Sequence, residues 1–116
     1  KMTEGLYFTD KEQNERTEIR IKWWKDPSKM TYRSISIEPL EILPEQLINV
    51  SELKNLDFYR SDDKKVFFGH YWLKGQPSLY KDNICCLDYS VARGGKLVAY
   101  RLNGESNLDR GNLTYV

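Results

Sequence analysis

The chain has 116 residues, 18 basic against 17 acidic, and a formal charge of +1. That length supports one domain with a real core and is short for two. So even a charge balance gives no basic footprint for nucleic acid or an anionic membrane, and no run approaches the ~20 apolar residues of a membrane span.

Residues 1–16 are polar, with Leu6-Tyr7-Phe8 as their apolar cluster. In residues 17–24, Ile19, Ile21 and Trp23 alternate with Glu18, Arg20 and Lys22, the period of a half-buried strand. Asp26-Pro27-Ser28 turns the chain and residues 31–37 alternate again, which predicts a β-hairpin across residues 17–37. Pro39 and Pro44 bracket a short extended link. Pro44-Glu45-Gln46-Leu47-Ile48 suits the first turn of a brief helix ending between Asn49 and Asn55. Residues 56–63 read as loop, and Asp62-Asp63-Lys64-Lys65 as a solvated turn.

The C-terminal half is patterned more strongly. Residues 65–68 lead through Val66-Phe67-Phe68, a continuous apolar strand of the kind buried on both faces. After Gly75-Gln76-Pro77, residues 83–87 predict another strand and Ala92-Arg93-Gly94-Gly95 a turn. Residues 96–102 form the return strand, with Leu97, Ala99 and Arg101 on one face, and Asn103-Gly104 closes it. The expected class is α+β and strand-dominated, a single domain over residues 1–116 with segments 1–62 and 63–116.

Cys85 and Cys86 are adjacent. Neighbours in a strand point to opposite faces, so a bridge between them is geometrically poor. No second Cys pair or His pair stands at zinc-ligand spacing. The pair therefore reads as buried thiols in a reduced, cytoplasmic chain, consistent with opening residues that carry no signal-peptide pattern. Trp23-Trp24 reads as packing, and Arg93-Gly94-Gly95 as a hairpin turn in preference to a phosphate cradle. Neither a Gly-x-Gly-x-x-Gly run nor a Walker loop is present.

His70 is the one histidine, and it ends the run Val66-Phe67-Phe68-Gly69-His70. A strand ending in Gly-His presents an imidazole at the carboxyl edge of a sheet, where α/β proteins commonly bind ligands. One imidazole by itself completes neither a metal site nor a triad.

Three blocks frame that histidine: Phe67-Phe68-Gly69-His70-Tyr71-Trp72-Leu73, Asn83-Ile84-Cys85-Cys86-Leu87-Asp88-Tyr89-Ser90, and Gly94-Gly95-Lys96-Leu97-Val98-Ala99-Tyr100-Arg101. In order and spacing they resemble the calcineurin-like metallophosphoesterases, in the bacterial branch related to serine/threonine protein phosphatases and dinucleoside-tetraphosphatases. A weaker likeness extends to Trp23-Trp24. The resemblance implies a phosphoric-ester hydrolase with two divalent ions (Mn, Fe or Zn) about 3.5–4 Å apart, which activate a bridging hydroxide and stabilise phosphoryl charge. It makes His70 a metal ligand, leaves Asp88 at the edge of the site without a ligand role, and implies part of an αββα sandwich. Phosphoproteins and dinucleoside polyphosphates both suit it as substrates.

The family's Asp-x-His, Gly-Asp-x-x-Asp and Gly-Asn-His-Asp/Glu motifs are not in these residues. Together with a start at Lys1, this predicts the C-terminal portion of such an enzyme. Alone, that portion is expected to bind no metal productively, to carry no catalytic residue and to turn nothing over. A sheet face without its natural cover would favour self-association. The alternative is a stand-alone β-rich module that binds protein or nucleotide without catalysis.

Overall fold

A computed structural model describes residues 1–2, 5–10, 12–37, 41–52 and 58–116. The link at Pro39, the far end of the expected helix at 53–55 and the start of the 56–63 loop lie outside the described residues. Within them the fold is strand-dominated α+β. No helix among them is long and apolar enough to cross a membrane. The chain divides into two compact units, Lys1–Tyr59 and Arg60–Val116, where the sequence subdivision is placed at 62/63.

In the first unit, β1 (Phe8–Thr9) pairs antiparallel with β2 (Glu15–Arg16). Asp10 builds the connection. Its Oδ1 accepts the Glu12 and Asn14 amides at 2.9 Å each, and its Oδ2 accepts Arg16 Nε at 2.7 Å. The Asn14 amide and the Arg16 guanidinium hold the Asp10 carboxyl below its ordinary pKa.

The hairpin expected over residues 17–37 is corrected. Its centre does pair: Ile21 and Ser36 form one antiparallel bridge, flanked by Lys22 N–H to Ile35 O at 2.8 Å and Ile37 N–H to Arg20 O at 2.9 Å. Its second arm, however, winds into α1 (Tyr32–Ile35). Local chemistry decides this. Thr31 Oγ1 accepts the Ser34 amide at 3.1 Å while Ser34 Oγ accepts the Thr31 amide at 2.9 Å, a reciprocal cap. Tyr32 and Ile35, three apart, then share one face, and both are buried.

The helix expected from Pro44 is also absent from the described residues. The carbonyls of Pro44 and Gln46 accept the Arg33 and Tyr32 amides at 3.1 and 3.2 Å, and the Ile48 amide reaches Met30 O at 3.0 Å. Pairing across the chain has taken the groups an i→i−4 ladder needs; a 3-10 turn at Val50–Glu52 follows instead. Met2, Tyr32, Ile35 and Ile48 form the core, with Leu6, Phe8, Ile19 and Met30 against it. Trp24 is fully buried and is packing, meeting the half-buried Trp23 edge-on at 5.1 Å.

The second unit holds two three-stranded sheets. In one, β3 (Val66–Phe68), β4 (Leu79–Lys81) and β5 (Ile84–Cys86) lie in the order β3-β5-β4. β3 runs parallel to β5, with Val66 opposite Ile84 and Phe68 opposite Cys86, and β4 runs antiparallel to it. β3 is not buried on both faces: Phe67 is exposed and its neighbours half-buried. The reason is position, since β3 is an edge strand and β5 the centre. It is Ile84, Cys85 and Cys86 that are shut off entirely.

The other sheet orders β6 (Asp88–Tyr89), β7 (Lys96–Tyr100) and β8 (Leu113–Tyr115), all antiparallel. Along β7, Leu97 and Ala99 are exposed while Val98 is buried, the alternation the sequence shows.

Asn83 locks the entrance to β5. It is buried, and its Nδ2 donates to Arg60 O at 2.7 Å and Asp63 O at 3.1 Å, while Oδ1 has no partner among the described residues. Asn83→Ala removes both of these bonds, although Arg60 O keeps the Asp63 amide at 3.1 Å, so chemical denaturation should register a loss of about 1–3 kcal/mol. A neutral result would show that the turn at 60–63 holds without it.

Candidate functional site

β3 ends at Phe68, whose carbonyl accepts the Leu87 amide at 2.9 Å and extends the parallel pairing to its carboxyl end. The chain then leaves through Gly69 and exposes His70. Its backbone does something uncommon there. His70 has φ +72°, Trp72 φ +53° and, across from them, Ser90 φ +60°. Left-handed backbone costs a non-glycine residue roughly 1–2 kcal/mol, so three such residues together require compensation.

Asp88, in β6, supplies it. Its Oδ2 accepts the Trp72 amide at 3.2 Å and its Oδ1 the Ser90 amide at 3.2 Å. The His70 backbone amide also favours the charged carboxylate. Burial pushes the Asp88 carboxyl up, but these three amides and the nearby His70 ring outweigh it, and the group titrates below its ordinary value. It is therefore an anion at neutral pH, an acceptor only. Leu73 N–H to Asp88 O at 3.0 Å and Ser90 Oγ to Leu73 O at 2.9 Å bind the same two segments again. The Arg93 guanidinium lies 4.7 Å over the Trp72 ring.

The arrangement presents one imidazole at the end of a parallel strand pair, beside a carboxylate. Imidazole is a side chain that can ligate a metal ion. The arrangement does not by itself fit a two-ion centre: among the described residues no group of three or more His, Cys, Asp or Glu is placed to hold a metal ion.

Cys85 and Cys86 are free and buried. Burial, and then the neighbouring Cys86, push the Cys85 thiol up to about 11, and burial raises Cys86 too. Both are protonated at neutral pH and fully buried, as core thiols are. The turn at 93–95 has no spare amides for phosphate. Arg93 and Gly95 donate to Ser90 O at 2.9 Å each, and Gly94 donates to Val91 O at 3.2 Å. Asp62, Asp63 and Lys64 are exposed, as a solvated turn requires.

The first unit has a separate feature that sequence reasoning missed. A cavity of about 190 Å³ is walled by Ile19, Ile21, Trp23 and Phe58, with Lys1 and Lys25 among its lining residues. The signal was present: Ile19, Ile21 and Trp23 share one side of the alternating stretch, and that side lines the cavity.

The second unit thus defines a class by its construction: a small strand-rich body that exposes one histidine beside a carboxylate at a sheet edge. Comparison with protein-family models, with curated proteins and with solved structures returns no match to the chain.

Proposed function

We propose that these residues form the C-terminal portion of a metal-dependent phosphoric-ester hydrolase, in which His70 supplies one ligand to a centre completed by residues outside those described. The observation that carries this reading is the exposed His70 at the carboxyl end of β3, held in left-handed backbone against Asp88. The three sequence blocks of the resemblance support it, because they become β3 with its loop, β5 with β6, and the turn with β7, all within one unit. On this reading the strands belong to an αββα sandwich. The substrate is a phosphate ester of a protein or a dinucleoside polyphosphate. The two free thiols suit a cytoplasmic location, and exposed Leu97 and Val116 leave apolar surface for self-association.

The test is hydrolysis of p-nitrophenyl phosphate with Mn²⁺. A protein carrying the upstream metal motifs should turn it over and lose roughly 100-fold or more on His70→Ala. The 116-residue chain alone should show no turnover. Equal activity of the His70→Ala protein would remove the ligand role.

The cavity of the first unit favours a second reading, a nucleotide-binding module without catalysis. Its aromatic wall suits a base and its two lysines suit phosphate. Saturable, metal-independent quenching of tryptophan fluorescence by AMP, lost on Trp23→Ala and weakened on Lys25→Gln, would favour this reading over the first.

A further inference from the structure

We propose that Asp88 is the positioning residue for His70, the side chain that fixes where the imidazole is presented; this rests on the ligand role given to His70 above. Four non-glycine residues among those described have positive φ, namely Gln13, His70, Trp72 and Ser90. Two of these four, Trp72 and Ser90, donate their amides to the Asp88 carboxylate. Gly69, the neighbour of His70, lies so close that an added Cβ would meet Asp88 Cβ at 3.5 Å. The convergence is not the product of one local turn. Ser90 is two residues from Asp88, whereas Trp72 is sixteen away, so the carboxylate ties the loop after β3 to the start of the β6–β7 hairpin. Its two oxygens are divided between those segments.

Chemistry explains why an aspartate is suited to this place. A carboxylate accepts several amides at once, and hydrogen bonds to an anion are stronger than neutral ones. A concave array of amides around one anion can hold left-handed residues that would otherwise relax toward extended backbone. The main chain of Asp88 adds to the clamp through Leu73, and the Ser90 hydroxyl closes it. Within this clamp His70 is exposed to solvent. Metal-binding imidazoles depend on such supporting groups for their orientation, and here the support acts through the backbone that carries the ring.

The experiment uses the 116-residue chain and its Asp88→Asn and Asp88→Ala variants, with zinc as the probe and NMR as the readout. Asparagine keeps one acceptor oxygen and loses the charge. The zinc midpoint read from the His70 ring resonances should rise about tenfold in Asp88→Ala and by less in Asp88→Asn. The amides of Ile84, Cys85 and Cys86 should stay in place, which separates positioning from general unfolding. An unmoved midpoint in Asp88→Ala would overturn the proposal, as would equal effects of the two variants accompanied by displaced β5 amides. If the ring of the unsubstituted chain ignores zinc, the ligand role fails. The positioning role is then read from the HN–Hα couplings of His70 and Trp72: a shift out of the left-handed range in Asp88→Ala supports it, and unchanged couplings overturn it.

Discussion

Gly95→Ala should unfold the second unit under conditions where the unsubstituted chain is stable, with a loss on the order of 4 kcal/mol. A Cβ added at Gly95 would lie 2.0 Å from Tyr89 O and 2.7 Å from Ser90 O. Both are backbone atoms, so no side chain can swing away. The contact sits where the chain reverses between β6 and β7, with Tyr89 opposite Lys96 and the Gly95 amide on Ser90 O at 2.9 Å. Making room would break that pairing and move Ser90, which is itself held in left-handed backbone by Asp88. Gly94 provides the control. It has φ +78° but nothing within 4 Å of an added Cβ, so Gly94→Ala should cost only about 1 kcal/mol. Urea denaturation followed at second-unit amides separates the two. Equal losses would mean that the turn relaxes more freely than its packing indicates.

Raising the pH from about 9 to about 11 should destabilise the second unit steeply. Cys85 is wholly buried, and burial, then Cys86, lift its thiol from an ordinary 9.0 to about 11. Below pH 9 the thiol is protonated in both folded and unfolded chains and the full stability is present. Above pH 9 the unfolded chain loses this proton while the folded chain keeps it, so unfolding is favoured increasingly until the folded pKa is passed. Cys85 alone accounts for on the order of 2–3 kcal/mol over that window. Cys86 and Tyr80 act in the same direction, since burial raises both, Tyr80 to about 12. A Cys85→Ala chain should show a shallower decline. Thermal denaturation at a series of alkaline pH values measures this; a flat profile to pH 11 would show that the thiols are not enclosed.

The legible parts of the chain were those whose signals are local. β5 and β7 were readable because short apolar runs are bounded by Asn83 and by Gly94-Gly95, and His70 was placed at a strand end by the Gly-His step alone. β3 was found, but its exposure was not, because an apolar run does not reveal whether a strand lies at the centre or the edge of its sheet. Residues 31–37 were ambiguous for a physical reason: Tyr32 and Ile35 satisfy a three-residue spacing as well as an extended one, and the Thr31–Ser34 cap settles the choice. Pro44 signals a helix start, but the carbonyl groups after it are taken by the segment 30–33. β8 went unread because three residues after a turn are too few to show a period. The Asp88 clamp was hidden most deeply. Its donors lie far apart along the chain, and its left-handed residues are His, Trp and Ser, where glycine would have marked the conformation.

A zinc titration of the 116-residue chain, followed at the His70 ring resonances, tests the ligand role of His70 directly. A weak, one-site perturbation centred on His70 and extending to residues 69–73 and Asp88 is expected, with no accompanying phosphate-ester turnover. A ring that does not respond at saturating zinc, or tight uptake of two ions with turnover by this chain alone, would contradict that expectation.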